Sequence, residues 1–178
     1  IGTLIATARV IPQYKVLPRI LNKICSFYVA LFRGTPIVVQ LLVFYYVLLP
    51  LMGSRMTGIQ VAVMVFGLNS AAYISEIMRG GIMSVDSGQM EAGRAVGLSF
   101  GTTMLKIVIP QAVKNILPTM GNELIALIKD TSVVSFVGAT DLYVAFSFIG
   151  SSNYEFMVPY LVMALIYIVL VLIISFAI

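Results

Sequence analysis

The sequence contains no histidine, no tryptophan and a single cysteine, Cys25, and its charged residues, 11 basic and 7 acidic, make up only 10% of 178. Without imidazole or a cysteine cluster it has neither the ligands for a zinc site nor a histidine general base, and one cysteine excludes an internal disulfide. Cys25 reads as a small apolar filler. No G-x-x-x-x-G-K-[ST] phosphate loop occurs, so the chain is not expected to hydrolyse nucleotide or to hold a cofactor of its own. A soluble domain of this length needs about a quarter charged residues. Here 60% of the residues are hydrophobic and the mean hydropathy is +1.05, more apolar surface than one core of this size hides. The chain is an integral membrane protein.

A basic segment ahead of the first apolar run and a small-residue cleavage site after it are both missing, which argues against a signal peptide. The opening run, Ile1 to Ile11, holds too few residues before Pro12 to cross a hydrocarbon core that needs about 20, and is expected to be the inner end of an incomplete span. The closing run, Leu161 to Ile178, ends without a basic anchor, so the native protein is expected to extend beyond both ends. Four further runs are long enough to cross, roughly Pro36 to Met52, Thr57 to Ile77, Ile116 to Val137 and Met157 to Phe176. The expectation is one all-α transmembrane domain over residues 1–178, with about five spans.

Lys and Arg near span ends stay on the cytoplasmic side. Arg9, Lys15, Arg19, Lys23 and Arg33 surround the first loop and Arg79, Arg94, Lys106 and Lys114 the third, whereas the alternate loops carry Arg55, Asp141 and Glu155. The first and third loops therefore face the cytoplasm. No aromatic residues alternate with these cations as a base-stacking platform would require, so nucleic acid is not an expected partner.

The third loop, about 84–110, is polar and punctuated by small residues. Met90, Ala92, Gly93, Val96, Gly97 and Phe100 recur near three- and four-residue spacing and can offer a close-contact face, while Glu91 and Arg94 are placed to pair at i, i+3. Gly97 weakens a helix by about 1 kcal/mol relative to Ala, which suits a turn or a close approach. Pro110 suits the first turn of a following helix.

The pattern Glu91-Ala92-Gly93, three residues, Gly97, nine residues, Ile107, one residue, Ile109-Pro110 resembles the signature cytoplasmic loop of bacterial ABC importer permeases, Glu-Ala-Ala, three residues, Gly, nine residues, Ile, one residue, Leu-Pro. Gly93 and Ile109 depart from it by small or aliphatic swaps. The segments Phe32-Arg33-Gly34-Thr35-Pro36, Leu68 to Tyr73 with Glu76, Arg79 to Ile82, and Gly121 to Ser132 are similar to the polar amino acid subfamily of these permeases. The resemblance implies a type I importer bundle in the bacterial cell membrane. It further implies that Met90, Glu91, Ala92, Gly93, Arg94, Val96, Gly97 and Phe100 form a coupling helix docked on a cytoplasmic ABC ATPase, which binds the ATP and Mg. A second permease subunit, identical or similar, and an extracytoplasmic solute-binding protein are the other implied partners.

Asn122, Glu123, Lys129 and Asp130 lie within the fourth span, where each ionised side chain costs about 2.5 to 3.5 kcal/mol. They must face protein or water. At 100° per residue they share a stripe, while Leu117, Leu124 and Ile128 point away. A stripe of both charge signs suits a zwitterionic amino acid, with Glu123 and Asp130 for cationic groups and Lys129 for a carboxylate; a structural network pairing Lys129 with an acid is the competing reading. In the third span Asn69 and Tyr73 share a face and are candidate path residues or interhelical hydrogen-bond glue. Glu76 at its inner end reads as structural, pairing with Arg79. Phe44, Tyr45 and Tyr46, and the aromatics of the outer loop Asp141 to Pro159, suggest a headgroup belt, or a surface for the binding protein. An ion-driven secondary transporter would use the same carboxylates as ion sites but should show inverted repeats, and none is evident. A scaffold or channel would leave the charged stripe unexplained.

Overall fold

In the computed structural model residues 1–11 and 14–177 are described, and among them every regular element is helical. Pro12 lies outside the described residues. The helices are α1 (Gly2–Val10), α2 (Val16–Gly34), α3 (Ile37–Val43), α4 (Leu49–Leu51), α5 (Gly58–Met83), α6 (Ser87–Ala95), α7 (Phe100–Thr103), α8 (Ile109–Asp130), α9 (Leu142–Asn153) and α10 (Met157–Ala177). Two π-turns, Phe44–Leu48 and Met104–Val108, and a 3-10 segment, Thr131–Val137, complete the run. Helices α5 and α10 are long and apolar enough to cross a membrane, and the number rises to four if α2 with Ile37–Leu51, and Phe100–Val137 with α9, each count as one bent span.

The chain divides into two units interleaved in sequence, Ile1–Leu31 with Ala71–Glu123, and Phe32–Ser70 with Leu124–Ile178. In the first, the end of α1 is tied to α5 by ions: Arg9 Nη1 lies 3.1 Å from Glu76 Oε1, and Arg79 Nε donates to the same oxygen. The expected Glu76–Arg79 pair is present, with Arg9 as a further partner. Asn115 Nδ2 on α8 donates to Ser84 Oγ at 2.9 Å, and Gln111 Nε2 to Gln89 Oε1 at 3.2 Å, fastening α8 to the segment before it.

The second unit holds an apolar cluster of Leu41, Leu49, Val61, Ala62, Val65, Phe66 and Val137. Tyr45 packs against it, edge-on to Tyr46 at 4.9 Å, and Tyr46 Oη donates to the Phe136 carbonyl at 3.3 Å. Tyr45 therefore joins the interior packing of this unit, while Tyr46 stays exposed. Helix α10 is apolar on every side and largely exposed, which is what a helix facing hydrocarbon or another subunit requires.

Two expectations change. Residues 16–34, read as part of a loop, form α2: Leu17, Ile20, Ile24, Phe27 and Leu31 repeat at helical spacing, and the interspersed Arg19 and Lys23 lower the local hydropathy enough to hide the period. The outer segment 141–159 contains α9, N-capped by Asp141 Oδ1 accepting from the Val144 amide at 2.9 Å. Pro110 falls in the first turn of α8, as expected, but α8 follows the π-turn before it without a break. A proline there removes a hydrogen bond and crowds the carbonyl four residues back, and the π-turn Met104–Val108, closed by Ile109 N–H to the Met104 carbonyl, widens the helix to take it in. The same arrangement recurs before Pro50, where Leu49 N–H reaches the Phe44 carbonyl.

Candidate functional site

The glycine-punctuated loop folds as a helix, a tight turn and a second helix. Asp86 opens α6, its Oδ1 accepting from the Gly88 amide at 2.6 Å. The helix closes with Leu98 N–H on the Gly93 carbonyl at 2.9 Å and Gly97 N–H on the Arg94 carbonyl at 3.0 Å. This paired closure needs a left-handed residue, and Gly97 sits at φ +82°. Ser99 then caps the next helix, its Oγ accepting from the Thr102 amide at 3.2 Å.

Of the eight residues expected on the contact face, Glu91, Ala92, Arg94, Val96, Gly97 and Phe100 are exposed and Met90 is half-buried. Gly93 is turned inward instead. It packs on Thr103, itself fully buried, so tightly that an added Cβ would lie 2.6 Å from Thr103 Oγ1 and closer still to Cγ2. The small residue thus lets α6 close on α7, and it offers no outer surface. Glu91 and Arg94 form no ion pair, and both charges point outward. Sequence reasoning missed Asp86, Ser99 and Thr103. The first two carry a legible cap signal, Asp or Ser just ahead of a helical period; the buried threonine carries none.

The polar stripe of α8 is helical from end to end, which preserves the shared face of Asn122, Glu123, Lys129 and Asp130. Asn122 and half-buried Glu123 belong to the first unit, Lys129 and Asp130 to the second. Lys129 and Asp130 are exposed and neither has an ion-pair partner among the described residues. The network that would lock Lys129 to an acid is therefore absent among the described residues. Immediately beyond, Thr131 Oγ1 and Ser132 Oγ donate to the carbonyls of Ile128 and Lys129 at 2.6 and 3.0 Å, satisfying the helix end as it tightens into the 3-10 segment.

Tyr73 is half-buried on α5 in the first unit. Asn69, in the second, is held in a polar clamp: its Nδ2 donates to Gln40 Oε1 at 3.0 Å and to the Phe32 carbonyl at 3.2 Å. Gln40, only 7% exposed, donates in turn to the Phe32 carbonyl at 2.8 Å and to the Thr35 carbonyl and hydroxyl at 3.0 and 2.9 Å. The break between α2 and α3 frees backbone carbonyls in an apolar setting, and these two amides satisfy them. Gln40 was not legible as a site residue, because a lone glutamine inside an apolar run carries no spacing signal.

The described residues form helices throughout, at least two of them long and apolar enough to cross a membrane, with a capped, exposed helix in the polar loop. All 178 residues match the family of binding-protein-dependent transport system inner membrane components, and the chain belongs to that family. It is 43% identical over 153 residues to the arginine transport system permease protein ArtQ of Bacillus subtilis, covering 86% of this chain and 70% of the relative. An amino acid ABC transporter crystallised with histidines superposes with a TM-score of 0.89 at 37% identity, over 98% of this chain and 78% of that one. The fold is shared with the inward-facing MetNI methionine ABC transporter, TM-score 0.77, at 20% identity over 99% and 82%. The protein is accordingly a component of the bacterial cytoplasmic membrane.

Proposed function

We infer that this chain is the membrane-spanning subunit of an ABC importer for polar amino acids, working by alternating access. The observation that carries this reading is the exposure of Lys129 and Asp130, opposite charges without ion-pair partners among the described residues, on the polar stripe of an otherwise apolar chain. A zwitterionic amino acid supplies both missing counter-charges. The names borne by the relatives, arginine transport and amino acid ABC transport, support the same substrate class. On this reading Asn69, Tyr73, Asn122, Glu123, Lys129 and Asp130 border the path, with the amide of Asn69 also holding the α2–α3 break. Glu91, Ala92, Arg94, Val96, Gly97, Phe100 and Met90 meet a cytoplasmic ATPase that binds ATP and Mg, and Gly93 shapes that surface from inside. All 178 residues act as one permease domain, two such subunits enclose the pore, and a solute-binding protein delivers the substrate.

The test is uptake of labelled arginine and glutamine into proteoliposomes holding the complete transporter and its binding protein. Uptake is expected to require ATP on the ATPase side and to fall at least tenfold in Lys129→Gln and Asp130→Asn. Uptake driven by a sodium or proton gradient without ATP would overturn the reading.

A further inference from the structure

The first 75 residues contain no aspartate or glutamate, yet they carry Arg9, Lys15, Arg19, Lys23, Arg33 and Arg55. Arg9 is neutralised by Glu76. Lys15, Arg19 and Lys23 are exposed, recur every four residues at and beyond the start of α2, and have no ion-pair partner among the described residues. Beside them Leu17, Ile20, Ile24, Phe27 and Leu31 form an exposed apolar stripe on the same helix, with Phe27 71% accessible. A cavity of about 590 Å³ lies at the head of α2, between Tyr14, Lys15 and Pro18 on one side and Arg94, Leu98 and Phe100 on the other. Two cations line it and no acid does.

We propose that this cavity binds the headgroup of an anionic phospholipid of the cytoplasmic leaflet, Lys15 and Arg94 holding its phosphate and the stripe of α2 receiving its acyl chains. The charge of the cavity calls for an anion, and none lines it among the described residues. The stripe calls for hydrocarbon, and a long basic side chain at its edge reaches naturally to the headgroup level. A single ligand joins phosphate to hydrocarbon, whereas an acidic protein surface meets only the cations. The site links lipid charge to α6 through Arg94, so leaflet composition reaches the loop that carries coupling. The inference rests on the chain's place in the membrane; the cavity borders the surface proposed for the ATPase, since Met90, Arg94 and Phe100 belong to both, and ATPase retention is therefore read beside the lipid.

The experiment is native mass spectrometry of the complete transporter released from nanodiscs made of equal amounts of phosphatidylglycerol and phosphatidylcholine. The wild type is expected to retain phosphatidylglycerol several-fold over phosphatidylcholine, and Lys15→Gln to lose about one phosphatidylglycerol per permease chain while keeping its ATPase subunits. Equal retention of the two lipids by the wild type, which needs no variant to fold, would overturn the proposal. So would a Lys15→Gln complex that keeps its phosphatidylglycerol, whether or not it sheds ATPase; shedding alone would assign the cavity to the protein interface.

Discussion

Replacing Gly93 by alanine sets two opposing effects against each other within α6. Alanine is the better helix former by about 0.5–1 kcal/mol. Its methyl group, however, must occupy space 2.6 Å from Thr103 Oγ1 and 3.1 Å from Thr103 Cβ, with Cγ2 closer than either. Thr103 has no room to yield, because it is fully buried and its hydroxyl donates to the Ser99 carbonyl at 3.0 Å. Overpacking of this kind costs about 1–3 kcal/mol, so the clash outweighs the propensity gain and Gly93→Ala should destabilise the permease by about 1 kcal/mol. Thr103→Ala removes both offending atoms, and the double variant should recover at least half of the loss, a coupling of about 1 kcal/mol between the two sites. The assay is a double-mutant cycle on the midpoint of thermal inactivation of the purified transporter, with ATP consumed per substrate imported measured beside it. A Gly93→Ala protein as stable as the wild type, or losses that simply add, would refute the packing argument. The cycle also bears on why this chain has glycine where the resembling signature has alanine: the threonine ten residues later takes the space.

Glu76→Gln leaves Arg9 and Arg79 facing one another without an anion; with the two arginine side chains 13% and 33% exposed, we expect a loss of about 2 kcal/mol, less than the roughly 3–5 of a fully buried pair, read as earlier thermal inactivation. Gln40→Leu keeps the volume of the side chain but abandons the Phe32 and Thr35 carbonyls, which should cost about 1–3 kcal/mol, whereas Asn69→Ala alone should cost less because Gln40 still serves them; equal losses would argue against the clamp. Pro110→Ala restores an amide that can bond the Lys106 carbonyl, so the π-turn should relax to α-helix, detectable as new hydrogen-exchange protection at residue 110. The relaxation turns the following part of α8 by roughly 100° relative to α6, and uptake should fall at least tenfold while stability is kept; unchanged uptake would show that the π-turn is dispensable.

Membrane residence, the polar loop, the Gly97 turn and the charged stripe were all legible in the chain, since each rests on composition or on a spacing that local geometry enforces. Helix α2 was not. Its period was present, but cations on one face depress any average over the segment, and only the direction of each side chain separates an amphipathic helix from a basic loop. Helix α9 was hidden for a similar reason, its aromatics reading as a belt. The π-turns carry no pattern of their own; proline announces that a helix will be perturbed, and the surrounding packing selects a widened turn over a break.

By itself the sequence determined that this chain lives in a membrane, that it belongs among helical permeases, and that unlike charges ride on one helical face, because transfer free energy and the 3.6-residue period act on neighbours along the chain. Only the tertiary structure decided that Gly93 faces inward on Thr103, that Gln40 and Asn69 mend the break before α3, and that Arg9 shares Glu76 with Arg79. The contacts Gly93–Thr103, Gln40–Asn69 and Arg9–Glu76 join residues 10, 29 and 67 positions apart, and nothing short of the packed backbone brings such partners within bonding distance.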